Sequence, residues 1–166
     1  MVKQKNINIM FNRDFECEYG VMVQVSPMVR RIVAKNPGPY TFKGTGTYII
    51  GSGKVAVIDP GPNDKRHVDA LMIALDGEKI THQLITHTHN DHSPAAKLVK
   101  GRTGAKTYGF GPHGLGKYSK GFTVEAGGDM EFIPDVRLKD GELIKGDNWT
   151  INCIHTPGHT SNHLCF

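Results

Sequence analysis

With 166 residues and 38% hydrophobic content, the chain is long enough to bury a core of its own, so a disordered or purely fibrous class is excluded. No apolar run approaches the length of a membrane helix, and Met1-Val2-Lys3-Gln4-Lys5 is not followed by the hydrophobic stretch of a secretory signal, so a cytoplasmic protein with no membrane partner is expected. A net charge of +4 and a pI near 9.0 are compatible with RNA, phosphodiester or carboxylate substrates, yet many proteins that bind no nucleic acid carry this charge.

In chain order, strands are predicted near 20–25, 29–34, 46–51 and 54–59, each β-branched or aromatic and bounded by Gly, Pro or Asn. Gly51-Ser52-Gly53-Lys54 reads as a hairpin turn. A helix follows from about Asp64 to Leu75, with Val68, Leu71, Met72 and Leu75 on its apolar face. A strand over 82–86, a helix over 93–100 entered through Ser93 and Pro94, and a strand near 105–109 come next. The stretch from Gly101 to Gly128 is glycine-rich and poor in apolar positions. Its Gly109-Phe110-Gly111-Pro112-His113-Gly114 is formally G-x-G-x-x-G, but Pro112 and further glycines preclude the helix that a dinucleotide site needs. Two readings remain for this stretch: a loop over the active site presenting His113, Lys117, Tyr118 and Lys120 to an anionic substrate, or a plain solvated loop. Cys17, Cys153 and Cys165, odd in number and irregularly spaced, read as reduced, partly buried thiols. No internal repeat or linker divides the chain, so residues 1–166 are read as one domain.

The chemistry concentrates in His87-Thr88-His89-Asn90-Asp91-His92, which reads H-x-H-x-D-H. Three imidazoles and a carboxylate this close are costly to hold together without a cation among them. Imidazole nitrogen with carboxylate oxygen suits zinc, iron or manganese rather than calcium or magnesium. The motif lies between an apolar strand run and a helix start. In extended chain His87 and His89 share a side, and Asp91 and His92, beyond the turn, are free to serve a neighbouring position. The bland alternative is a His-rich surface loop.

A second signal is Thr156-Pro157-Gly158-His159-Thr160, a tight turn that projects His159 after the apolar run Trp149–Ile154. His87, His89 and His159 make a three-histidine set that leaves a coordination position open, the pattern of a catalytic zinc. A rival pairing of His159 with His163 on one helix face fails, because Pro157 and Gly158 precede it and residue 160 is Thr rather than Glu. His163 is therefore read as supporting or packing the site.

With H-x-H-x-D-H and T-P-G-H-T in hand, the chain resembles the N-terminal part of a metallo-β-lactamase superfamily hydrolase. Asn36-Pro37-Gly38-Pro39-Tyr40-Thr41, Gly44-Thr45-Gly46-Thr47-Tyr48-Ile49-Ile50 and Val55-Ala56-Val57-Ile58-Asp59-Pro60-Gly61 look most like its lactamase-β-like 2, endoribonuclease-like branch. The resemblance implies an α/β fold, the four-layer αββα sandwich, of which about the N-terminal half is expected here. It implies one metal held by His87, His89 and His159, a second held in part by Asp91 and His92, and Asp59 supporting the site from behind. It also implies a bridging Asp after the T-P-G-H-T turn and a last His further on, neither of which lies within the 166 residues. A domain incomplete at its C-terminus is thus expected, to be completed by the missing half or by a homo-oligomer partner.

The expected activity is metal-dependent hydrolysis by a hydroxide on a dinuclear zinc centre, with iron or manganese as alternative metals and Asp91 orienting the nucleophile. The expected substrate is an ester, thioester or phosphodiester, in a small molecule or single-stranded RNA. Two other expectations stand beside it: an inactive truncated chain, and an iron-dependent oxidoreductase on the same fold.

Overall fold

The computed structural model describes residues 14–116 and 126–166. A seven-stranded sheet runs β1 (Met22–Ser26), β2 (Val29–Val33), β3 (Gly46–Ile50), β4 (Lys54–Ile58), β5 (Lys79–Leu84), β6 (Lys106–Gly109) and β7 (Val136–Arg137), in spatial order the same as chain order. The strands from β1 to β4 pair antiparallel, and those from β4 to β7 pair parallel. Each parallel step needs a crossover, and two are helical: α1 (Lys65–Ala74) joins β4 to β5, and α2 (Ala96–Thr103) joins β5 to β6.

The central strand shows how the layers stack. In β4, Val55, Ala56 and Val57 are all buried, which a strand manages only when both faces are covered. Val55 and Val57 join the helix-side core with Ile32, Ile49, Val68, Leu71, Leu75, Ile80 and Val99. Ala56 faces a second core with Leu84, Leu138, Ile144, Trp149, Ile151, Cys153 and Leu164. That second core is roofed by the hairpin of β8 (Leu143–Lys145) and β9 (Thr150–Asn152) and by the pair β10 (Ile154–His155) and β11 (Leu164–Cys165). A helix layer, a sheet and a second β layer are thus in place among the described residues. Trp149 fastens the roof: it is buried, and its indole N–H donates to the Lys54 carbonyl at 3.0 Å. The indole lies so close to Gly146 that a Cβ there would stand 2.0 Å from the ring, so only glycine admits this turn.

Several boundaries differ from expectation. β5 begins at Lys79 rather than 82, because the Lys79 amide donates to the Gly53 carbonyl and zips the strand to the β3–β4 turn. Helix α2 begins at Ala96, since the Ser93 hydroxyl donates to Asp129 at 2.8 Å instead of capping. It ends at Gly104, whose left-handed φ of 72° closes the C-terminus as its amide donates to the Lys100 carbonyl. The apolar run 149–154 is split at Cys153, whose amide turns aside to the Glu142 carbonyl. Of the three free cysteines, Cys165 is exposed rather than partly buried. No helix among the described residues is long and apolar enough to cross a membrane.

Candidate metal centre

The site forms where the parallel strands end. Asp59 follows β4, the His87–His92 loop follows β5, and His113 lies shortly after β6, so all three segments emerge at the carboxyl edge of one sheet. That edge is where α/β sheets open a crevice. His159 arrives from the other layer, on the turn between β10 and β11. Leu164 donates its amide to the Thr86 carbonyl at 2.7 Å and so locks the two layers together beside the histidines.

His87, His89 and His159 each offer a ring nitrogen within 4.8 Å of the others. Nδ1 of His89 lies 3.1 Å from Nε2 of His159. His87 is the buried member: its Nδ1 lies 2.9 Å from the Thr86 hydroxyl, while its Nε2 is buried with no hydrogen-bond partner. Leaving such an atom unsatisfied costs about 1–3 kcal/mol. Burial, together with the neighbouring rings of His92, His89 and His159, pushes the His87 pKa down to about 2. His89 is shifted down as well, first by burial and then by His159. Neutral imidazoles with lone pairs converging on one point, one of them orphaned, fit a divalent metal of the zinc type.

Asp91 and His92 form a distinct pair alongside. His92 Nε2 lies 3.1 Å from Asp91 Oδ2, and its Nδ1 lies 2.9 Å from Asp59 Oδ2. Burial opposes charge on this ring, but the two carboxylates prevail and raise its pKa to about 10. Burial likewise opposes ionisation of Asp91, yet His92 and the Thr45 hydroxyl bring its pKa well below the carboxylate range. An ion taking both side chains as ligands has to displace the His92 proton.

Asp59 works through three bonds: it accepts from the Thr86 amide at 2.8 Å and the Thr86 hydroxyl at 2.7 Å, and it holds His92. It does so from a left-handed backbone, φ 51°, which Asp tolerates better than most residues. Thr47 pins that backbone by donating to the Asp59 carbonyl at 2.7 Å, and the Thr47 hydroxyl in turn lies 2.9 Å from Nε2 of buried His67. His67 had no expected role; its spacing of four from Leu71, on the apolar face of α1, is the signal that marks it as an inward residue.

Other residues fall differently from expectation. His113 is buried, its Nδ1 2.8 Å from the Thr88 hydroxyl, so it braces the loop rather than offering itself to a substrate. Lys117, Tyr118 and Lys120 lie outside the described residues. Buried Asn162, unmarked in the sequence, donates to Thr88 Oγ1 and to the carbonyls of Gly111 and Pro112, stitching three segments behind His89. His163 packs its ring 5.1 Å from that of His87, with Nδ1 2.8 Å from the Thr156 hydroxyl, which keeps it in a supporting place.

The family model of the metallo-beta-lactamase superfamily matches residues 40–166. The chain belongs to that superfamily. Among curated relatives, a lactamase-like protein of Pestalotiopsis microspora, GME11357, is 31% identical over 147 residues, covering 86% of this chain and 41% of its own length. The atrochrysone carboxyl ACP thioesterase dmxR1 of a Cryptosporiopsis species is also 31% identical, over 86% of this chain and 40% of its own. The chain therefore spans about two fifths of the length of those relatives. Among solved structures, the class B3 di-zinc metallo-β-lactamase LRA-12 from an Alaskan soil metagenome superimposes with a TM-score of 0.66 at 20% identity, covering 86% of this chain and 55% of the other. A β-lactamase domain protein from Burkholderia ambifaria gives a TM-score of 0.65 at 20% identity, covering 91% and 54%. The αββα sandwich architecture of the superfamily thus extends over most of the chain.

A cleft of about 540 Å³ opens at the histidine cluster, lined by Tyr40, Thr41, Asn90, Asp91, Gly127 and His159 among others. Tyr40 stands wholly exposed at its rim, on the tight turn in which the Phe42 amide donates to the Gly38 carbonyl.

Proposed function

We propose that the protein is a metal-dependent hydrolase acting on a thioester at a dinuclear zinc centre. The observation that carries this reading is the three-histidine cluster with the orphaned His87 Nε2, at the edge of an open cleft. His87, His89 and His159 would hold one ion, and Asp91 and His92 would contribute to a second. Bound there, zinc supplies Lewis acidity that acidifies water and polarises an acyl carbonyl. The chain's own groups do the rest. Burial keeps His87 neutral at physiological pH, and Asp91, held ionised, accepts a hydrogen bond from the attacking water and so orients it. Tyr40 offers an aromatic face to the acyl group in the cleft, with Thr41 beside it in the lining.

A thioester is favoured because several matching relatives, at 28–31% identity, are named acyl-carrier-protein thioesterases. The competing reading, a phosphodiesterase of the lactamase-β-like 2 type acting on single-stranded RNA, draws on the +4 charge. The test assays zinc-loaded protein against an acyl N-acetylcysteamine thioester and against single-stranded RNA, with metal analysis alongside. Thioester turnover that disappears in His87→Ala supports the proposal. RNA cleavage without thioester turnover transfers it to the second reading, and iron content with oxygen consumption replaces hydrolysis by oxidation.

A further inference from the structure

The segment Asn36-Pro37-Gly38-Pro39-Tyr40-Thr41, with Gly44-Thr45-Gly46-Thr47 after it, contributes none of the proposed ligands. Its hydrogen bonds nonetheless lead to them. The Thr45 amide donates to Asn36 Oδ1 at 2.9 Å, which fixes the orientation of that side-chain amide, since a backbone N–H can only donate. Nδ2 of Asn36 must then donate to Thr45 Oγ1, at 3.0 Å. A hydroxyl that accepts from an amide keeps its own proton to give away. The acceptor that the Thr45 hydroxyl meets is Oδ2 of Asp91, at 2.8 Å.

The frame around this relay is rigid. Thr45 is buried, the Thr41 hydroxyl donates to the Asn36 carbonyl at 2.6 Å, and the Ala34 amide donates to the Thr45 carbonyl at 2.9 Å. Gly44 sits at φ 136°, where a Cβ would stand 2.1 Å from the Ala34 carbonyl oxygen, so the turn admits no side chain there. Two residues on, inside β3, Thr47 holds the backbone of Asp59. Thr45, just ahead of β3, and Thr47 within it therefore secure the two aspartates that grip His92 from opposite sides.

We propose that Thr45, aimed by Asn36, is the positioning residue that decides which carboxylate oxygen of Asp91 faces the metal centre. Oδ2 accepts from the Thr45 hydroxyl and stands 3.1 Å from His92 Nε2, the ring nitrogen left for an ion once its proton is displaced, because Asp59 holds Nδ1. Oδ2 is thereby the oxygen set beside that nitrogen. The inference rests on the reading of Asp91 as a ligand, and groups that orient ligands in this way are worth about 10–100-fold in metal affinity.

The test compares Thr45→Val, which keeps shape and loses the hydroxyl, with Thr45→Ser, which keeps the hydroxyl, and with Asp91→Ala. Zinc affinity is read by competition with a chromophoric chelator, the ligand field by the visible spectrum of cobalt-loaded protein, and folding by melting of the metal-free protein. The expected result is a loss of about 10–100-fold in affinity and an altered cobalt spectrum in Thr45→Val, with recovery in Thr45→Ser. Asn36→Ala, which leaves the hydroxyl but frees its direction, gives an intermediate loss and serves if Thr45→Val fails to fold. Wild-type affinity and spectrum in Thr45→Val, while Asp91→Ala has lost both, overturn the positioning role and leave the ligand reading intact. Equal impairment of Val and Ser variants with equally lowered melting also overturns it, in favour of packing. Retention of both readouts by Asp91→Ala sinks the ligand reading and this inference with it.

Discussion

His87 carries an unusual burden for one side chain: it is buried, flanked by four other imidazoles, and short of one hydrogen bond. Replacing both His87 and His89 with Ala is expected to abolish tight zinc binding; full zinc stoichiometry by elemental analysis in that double variant contradicts the ligand assignment. A second expectation concerns Glu78, whose carboxylate makes two bonds to the Arg30 guanidinium and accepts from the Gly53 amide at 2.8 Å. The Arg30 guanidinium chiefly holds its carboxyl below the usual glutamate range. The depressed folded-state pKa means that the pair stabilises fully above the unfolded value and loses that contribution as pH falls through the folded one. Glu78→Gln should therefore cost about 1–2 kcal/mol at pH 7 by denaturant unfolding, with the difference from wild type narrowing below about pH 4. At this scale the sequence is legible where ligands sit in one short motif. His87, His89 and His159 were readable because spacing and turn chemistry declare them. The roles of His67, Thr88 and Asn162 were not, because each bonds to a partner at least 20 residues away and only the fold brings the two together.

Elements were legible in proportion to how local their causes are. Helix α1 follows from its apolar face and from Asp64, whose carboxylate accepts from the Arg66 amide at 2.9 Å as an N-cap should. Asp64→Ala is expected to destabilise the protein by about 1 kcal/mol, seen as a lower urea midpoint with an unchanged slope; an unaltered midpoint shows that neither the cap nor the Arg66 contacts to the same carboxylate hold that end. Helix α2 was misplaced because Ser93, a good cap by type, spends its hydroxyl on Asp129, a residue 36 positions on. Strand β5 began early because its first residue pairs with the β3–β4 turn, a contact invisible to any local pattern. The β2–β3 connection shows a third case. Its glycine and proline content marks a turn, but the hydrogen bonds that make it a brace for Asp91 appear only when the strands are paired.

The whole molecule hangs on the junction between its two larger cores. Trp149, the single tryptophan, sits in the roof over the sheet while sharing a core with Ala56 and Leu84 of the sheet itself. Its fluorescence should therefore report release of the roof. Unfolding followed by tryptophan emission and by far-ultraviolet dichroism is expected to coincide, as in a two-state transition; an emission change at lower denaturant would show the roof leaving first. The αββα order was legible only through the family resemblance that the two histidine motifs carry, since the strand and helix patterns by themselves give elements and not layers. The edge where β1 exposes Val23 and Val25 was not, since alternation predicts a face but not what lies against it.

His89 and His159 stand 70 residues apart in sequence and 3.1 Å apart in space, one on the sheet side and one on the roof side. An ion gripping both becomes a reversible cross-link that closes most of the second half of the chain into a loop. Durability then follows the metal supply. Each tenfold rise in free zinc above the dissociation constant adds about 1.4 kcal/mol to the folded state, and a chelator removes it again.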